Sequence, residues 1–74
     1  MLEELKEIIG RAMPELDTST VTEKTRLIEE LGFDSLAMMM MAMEIEDRYG
    51  FRFTEFVRFE TAGDVCAYIE SKIS

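Results

Sequence analysis

The residues best placed for chemistry lie in the stretch GFDSL, Gly32 to Leu36, where Ser35 follows an aspartate and precedes a run of methionines. A serine attacks as a nucleophile only when a neighbouring base takes its proton. This chain holds no histidine, which is the usual base and the commonest metal ligand. Lysine and carboxylate side chains are present, but no motif arranges one as a base. The single cysteine, Cys66, can form no internal disulfide. Nothing near it in sequence would lower its pKa, so it reads as a small apolar filler on the last helix. The segment from Asp47 to Glu60 has the acids for a calcium loop, yet Tyr49 and Phe51 stand where an EF-hand needs oxygen ligands. The chain therefore reads as a protein that is not an enzyme. On this footing Ser35 is a helix cap, its hydroxyl satisfying a free backbone N–H for ~1 kcal/mol.

Whatever Ser35 does, the surrounding elements must place it. Leu2, Leu5, Ile8, Ile9, Ala12 and Met13 recur at helical spacing until Pro14 ends the pattern, which predicts a first helix. The polar connection from Glu15 to Phe33 is too long for a structureless loop in so small a chain. Val21, Leu27, Ile28 and Leu31 are expected to pin it to the core, with a helical turn or two around Arg26 to Leu31 and Gly32 as a left-handed C-cap. Asp34 or Ser35 can N-cap the second helix, which runs through Met38 to Tyr49 and stops at Gly50. A short third helix is expected around Thr54 to Phe59, although Phe51, Phe53, Phe56 and Phe59 also read as partial strand alternation. Gly63 or Asp64 opens the last helix, with Val65, Tyr68, Ile69 and Ile73 facing inward and Cys66 at the edge of that stripe. Residues 1–74 are thus expected to form one all-α domain, a bundle of three longer helices and one short helix with a long first loop.

At about 100° per residue, the second helix carries two apolar faces. Met38, Met41, Ala42, Ile45 and Tyr49 form a stripe that continues to its end and should face the core. Leu36, Met39, Met40 and Met43 gather on the other side, where the stripe gives way to Asp47 and is bordered by Glu44 and Glu46. Either the helix is sandwiched and all of these methionines are core, or the second set is an exposed patch that marks a partner site. Methionine's flexible thioether suits a surface that must fit more than one shape.

Composition narrows the partners. With 8 basic against 16 acidic residues the formal net charge is -8, the wrong sign for nucleic acid or an anionic bilayer. A partner recognised electrostatically should be basic. The longest apolar run, Leu36 to Met43, falls short of the ~20 residues of a membrane span. The acidic start MLEELKE is not a signal peptide, which makes a cytoplasmic monomer the expectation.

The segment VTEKTRLIEELGFDSL, beginning at Val21, resembles the long first loop and modification motif of acyl carrier proteins. The likeness extends through EIEDRYGF, less closely into ETAGDVCAYIESKI, and so over nearly the whole chain. It implies a four-helix acyl-carrier-like bundle in which Ser35 is a covalent attachment point. In the family, a phosphopantetheinyl transferase moves 4'-phosphopantetheine from coenzyme A to the matching serine, and the thiol of that arm holds an acyl group as a thioester. The missing base is thereby explained, because activation comes from the transferase. Asp34 would cap the helix and help present Ser35. A phosphodiester there would lie at the positive end of the helix, a contribution of ~0.3 to 1 kcal/mol.

Typical fatty-acid members place acids two and five residues after the serine, where this chain has Ala37 and Met40. This departure, and a slightly shortened FTEFVRFET, point to a specialised carrier of a polyketide-like or other secondary pathway. Its synthase or acyl-transferring partners, with basic and apolar docking surfaces, would grip Leu36, Met39, Met40 and Met43 with Glu44 and Asp47 alongside. Two other readings are a peptidyl or aminoacyl carrier, which uses the same arm for a different load, and a non-covalent module that binds a partner helix through the methionine face. Members of the family can also shelter acyl cargo between helices. Here Met38, Met41, Ala42, Ile45 and Tyr68 would line the shelter, each buried methylene contributing ~0.8 kcal/mol.

Overall fold

The computed structural model describes residues 1–53 and 59–73. Among these residues the chain forms three α-helices, α1 (Leu2–Ala12), α2 (Ser35–Tyr49) and α3 (Ala62–Ile73), with a 3-10 turn at Thr18–Thr20. They contain no strand beyond an isolated antiparallel bridge between Arg26 and Thr61. The expected short helix at Thr54 to Phe59 falls almost entirely outside the described residues; of it, Phe59 is described and is buried.

In α1 the buried residues Leu5, Ile8, Ile9 and Ala12 recur three and four apart, which turns one stripe toward both α2 and α3. The helix ends where Pro14 forces Met13 out of the helical region, to φ -133 and ψ 78. Leu5, Ile8, Ile9, Leu27, Met41, Ile45, Val65 and Ile69 are fully buried in one continuous cluster. Each large side chain removed from water in this way contributes ~1.5 to 3 kcal/mol toward the cost of ordering the chain.

The long connection from α1 to α2 is held largely by its backbone. Asp17 opens the Thr18–Thr20 turn by accepting from the Ser19 N–H at 3.0 Å and the Ser19 hydroxyl at 2.6 Å. Further on, the loop lies against the start of α3. The Leu27 N–H donates to the Glu60 carbonyl at 3.0 Å, the Ala62 N–H to the Thr25 carbonyl at 2.9 Å, and the Gly63 N–H to the Glu23 carbonyl at 2.8 Å. Val21 and Leu27 are buried as expected and Leu31 packs partly against the core. Ile28 does not pin the loop: it is half exposed, because the turn that carries Leu27 inward points its next residue to solvent.

Three details of α3 correct the sequence reading. The helix begins at Ala62, with Thr61 as its cap and not Gly63 or Asp64. The Asp64 N–H donates to the Thr61 hydroxyl at 3.2 Å while the Thr61 N–H donates to the Asp64 carboxylate at 3.1 Å, a reciprocal capping box. Cys66 lies within the core rather than at its edge, because Ala62, Val65, Cys66 and Ile69 make the inward stripe. Ile73 is exposed, since the buried cluster ends one turn earlier at Ile69, and Tyr68 is only half-buried.

Candidate functional site

The chain enters α2 through a tightly specified turn. The turn that follows Arg26 ends at Gly32, whose φ of 72 lies in the left-handed region. The Gly32 N–H donates to the Ile28 carbonyl at 3.1 Å and the Phe33 N–H to the Leu27 carbonyl at 3.1 Å. The Gly32 bond is the αL pattern of a helix C-terminus, and Phe33 and Leu27 both lie in the core. Asp34 is then extended, and its Oδ1 accepts from the Ala37 N–H at 2.8 Å. Of the two candidate caps it is Asp34 that caps α2, so the expectation that the Ser35 hydroxyl takes that role in the bare protein is corrected.

The division of labour leaves Ser35 free. It is the first residue of α2, exposed, and its hydroxyl makes no hydrogen bond to a described residue. Buried Phe33 before it and buried Ala37 after it fix the backbone on either side. Within the described residues the Ser35 and Leu36 N–H groups have no acceptor, and the first turn of α2 carries no acid. An accessible hydroxyl at the positive end of a 15-residue helix fits a phosphodiester in position and charge.

The two faces of α2 separate largely as the sequence suggests. Leu36, Met39, Met40 and Met43 are 64, 60, 38 and 63% exposed, whereas Met41 is 1% exposed and Ile45 is fully buried. Met38, Ala42 and Tyr49 are half-buried. Ala37 is buried beside Met41, so the replacement of an acid at that position is absorbed by the core. Met40 is the position that changes the surface. Asp47 is exposed and Glu44 half-buried along this face. Past Met43 the surface opens into a groove lined by Glu44, Glu46, Asp47, Gly50, Phe51 and Arg52.

Sequence reasoning missed what Glu46 and Arg48 do. The Phe53 N–H donates to the Glu46 carboxylate at 2.7 Å, which fixes the chain after Gly50 to the end of α2. Phe53 then stacks on Tyr68 with ring centres 5.1 Å apart, and Phe59 meets Tyr68 edge-on at 5.5 Å. Of the residues expected to line a cargo shelter, Met41 and Ile45 are buried, while Tyr68 is engaged with these rings. Arg48 pairs with Glu7 of α1 at 3.1 Å, and Arg52 is exposed at the groove. Arg58 lies outside the described residues. Burial pushes the Cys66 thiol up, and the Glu23 carboxylate adds to the shift, so its reactive thiolate form is suppressed at neutral pH.

The family described as "Phosphopantetheine attachment site" matches residues 3–69. The acyl carrier protein of Thermotoga maritima is 35% identical over 71 residues, which span 93% of this chain and 86% of that protein. The acyl carrier protein MbtL of a Mycobacterium species is 38% identical over 60 residues, 78% of this chain and 67% of its own. The meromycolate extension acyl carrier protein of Mycolicibacterium aurum is 32% identical over 72 residues, 95% of this chain and 69% of its own. The chain belongs to the acyl carrier protein family. It is a carrier and not an enzyme, and its working form bears covalently attached 4'-phosphopantetheine. No helix among the described residues is long and apolar enough to cross a membrane.

Proposed function

We propose that Ser35 is the attachment point of the 4'-phosphopantetheine arm, and that residues 1–74 act as one carrier domain that presents acyl thioesters to successive enzymes. The observation that carries this reading is the freedom of the Ser35 hydroxyl, which is exposed at the head of α2 because Asp34 does the capping. A transferase needs only such a hydroxyl, fixed in place by the buried neighbours Phe33 and Ala37.

Leu36, Met39, Met40 and Met43 form the docking face, with Asp47 and Glu44 at its rim. The acidic field of the chain steers basic partners in, and contact with the methionines decides which of them stay. An apolar residue at Met40 supports service in a specialised, polyketide-like pathway over general fatty-acid synthesis. Similarity to a relative named for meromycolate extension is in keeping with a dedicated carrier.

Incubation with coenzyme A, magnesium and a broad-specificity phosphopantetheinyl transferase, followed by intact mass measurement, tests the site. The parent chain should gain one phosphopantetheine and the Ser35→Ala variant none. The variant should fold with a stability within ~0.5 kcal/mol of the parent, since the hydroxyl caps nothing. No gain in a folded parent, or a gain in the variant, would remove Ser35 from this role.

A further inference from the structure

The most exposed methionines of this chain lie in one patch. Of its 7 methionines, Met39, Met40 and Met43 are exposed, Met41 is in the core, and Met1, Met13 and Met38 are half-buried. The remaining sulfur, Cys66, is buried. Helix propensity does not ask for methionine at the exposed positions, because leucine serves a helix equally well. Burial does not ask for it either, at exposures of 60 and 63% for Met39 and Met43. What the thioether has and leucine lacks is a sulfur lone pair open to two-electron oxidants.

We propose that Met39, Met40 and Met43 form a reversible oxidation site that switches the docking face of α2 off, with hydrogen peroxide as the oxidant. The proposal rests on the reading of this face as the docking surface for the enzymes that serve Ser35. The sulfur lone pair attacks one peroxide oxygen, the O–O bond breaks as the S–O bond forms, and the second oxygen leaves as water after a proton shift. Sulfur is oxidised by two electrons and the peroxide is reduced by two. A dithiol-dependent sulfoxide reductase reverses the step, releasing the oxygen as water while its dithiol becomes a disulfide.

The switch follows from polarity. Each sulfoxide places a strong acceptor in what was an apolar contact, and docking then strands it without a donor. Met41 is one residue from Met40 in sequence but faces the core, so the fold keeps its packing while the outer face changes character. Oxidation should follow exposure, fastest at Met39 and Met43 and slowest at Met41.

The test uses the full chain before arm attachment, which is the transferase's own substrate and lacks the arm's competing thiol. After dilute hydrogen peroxide, peptide mapping should place oxygen first on Met39 and Met43, then on Met40, with Met41 spared and the helical circular dichroism unchanged. The kcat/KM for arm transfer should fall by about tenfold, the scale expected when one central side chain of an interface stops packing, and recover after treatment with a sulfoxide reductase. A Met39→Leu, Met40→Leu, Met43→Leu variant should show the same rate before and after peroxide, whatever that rate is. Oxidation of Met41 as fast as Met39, an oxidised parent that accepts the arm as fast as the untreated one, or a variant slowed as much as the parent overturns the proposal. An untreated chain that accepts no arm overturns the reading of Ser35 and this inference together, whereas equal rates before and after oxidation overturn the inference alone.

Discussion

The heads of α2 and α3 both present a hydroxyl residue next to an acid, and they use the pair in opposite ways. At α3 the Thr61 hydroxyl is itself the cap, locked reciprocally to Asp64. The next two N–H groups, of Ala62 and Gly63, are taken by carbonyls of the long loop. At α2 the acid does the capping, and the hydroxyl beside it is left to solvent along with the first two N–H groups. One helix start is closed and the other is open. A serine at a helix head becomes available for chemistry when its neighbour takes over the structural task.

Substitutions can break this comparison. The largest effect on stability is expected for Gly63→Ala at the closed head. An added Cβ would stand 2.8 Å from the Glu23 carbonyl oxygen, a backbone atom with little room to yield. Chemical denaturation should show a loss of ~1 to 3 kcal/mol, and an unchanged midpoint would mean that the loop does not seal α3. At the open head, Asp34→Ala should cost ~1 kcal/mol, while Asp34→Asn, which keeps an accepting oxygen, should cost only a few tenths. Of the three alanine substitutions the smallest effect is expected for Thr61→Ala, at about 0.5 kcal/mol, at the low end for a cap because the loop still holds the neighbouring N–H groups. If Thr61→Ala costs more than Asp34→Ala, α3 depends on its hydroxyl after all and the contrast fails.

How far the sequence is legible differs between the same two places. The head of α2 can be read closely, because Gly32, Asp34 and the apolar periodicity are local signals. Only the choice of cap stays open between Asp34 and Ser35. The two faces of α2 are likewise legible from spacing, but whether the outer one is exposed or sandwiched is decided only by the packing. At α3 a signal is present and easily passed over, since T-x-x-D at Thr61 to Asp64 is a capping box with aspartate in the place of glutamate. The inward placement of Cys66 follows once the helix is known to begin at Ala62. Other features depend on contacts distant in sequence. Ile28 and Ile73 have the composition of core residues, but only the course of the loop and the extent of the cluster decide that they face solvent. The Glu46 bond to Phe53 spans only a few residues past the helix end, but no periodicity marks it.

The seal between the loop and α3 can also be viewed as polymer physics. Glu23 and Gly63 close a chain segment that contains all of α2, and the entropy of closing such a loop rises only with the logarithm of its length, about 0.6 kcal/mol for each doubling. The closure entropy of the segment is thus nearly insensitive to its length while the seal holds. A change in the chain beside the groove at Phe51 and Arg52 therefore need not move either helix head.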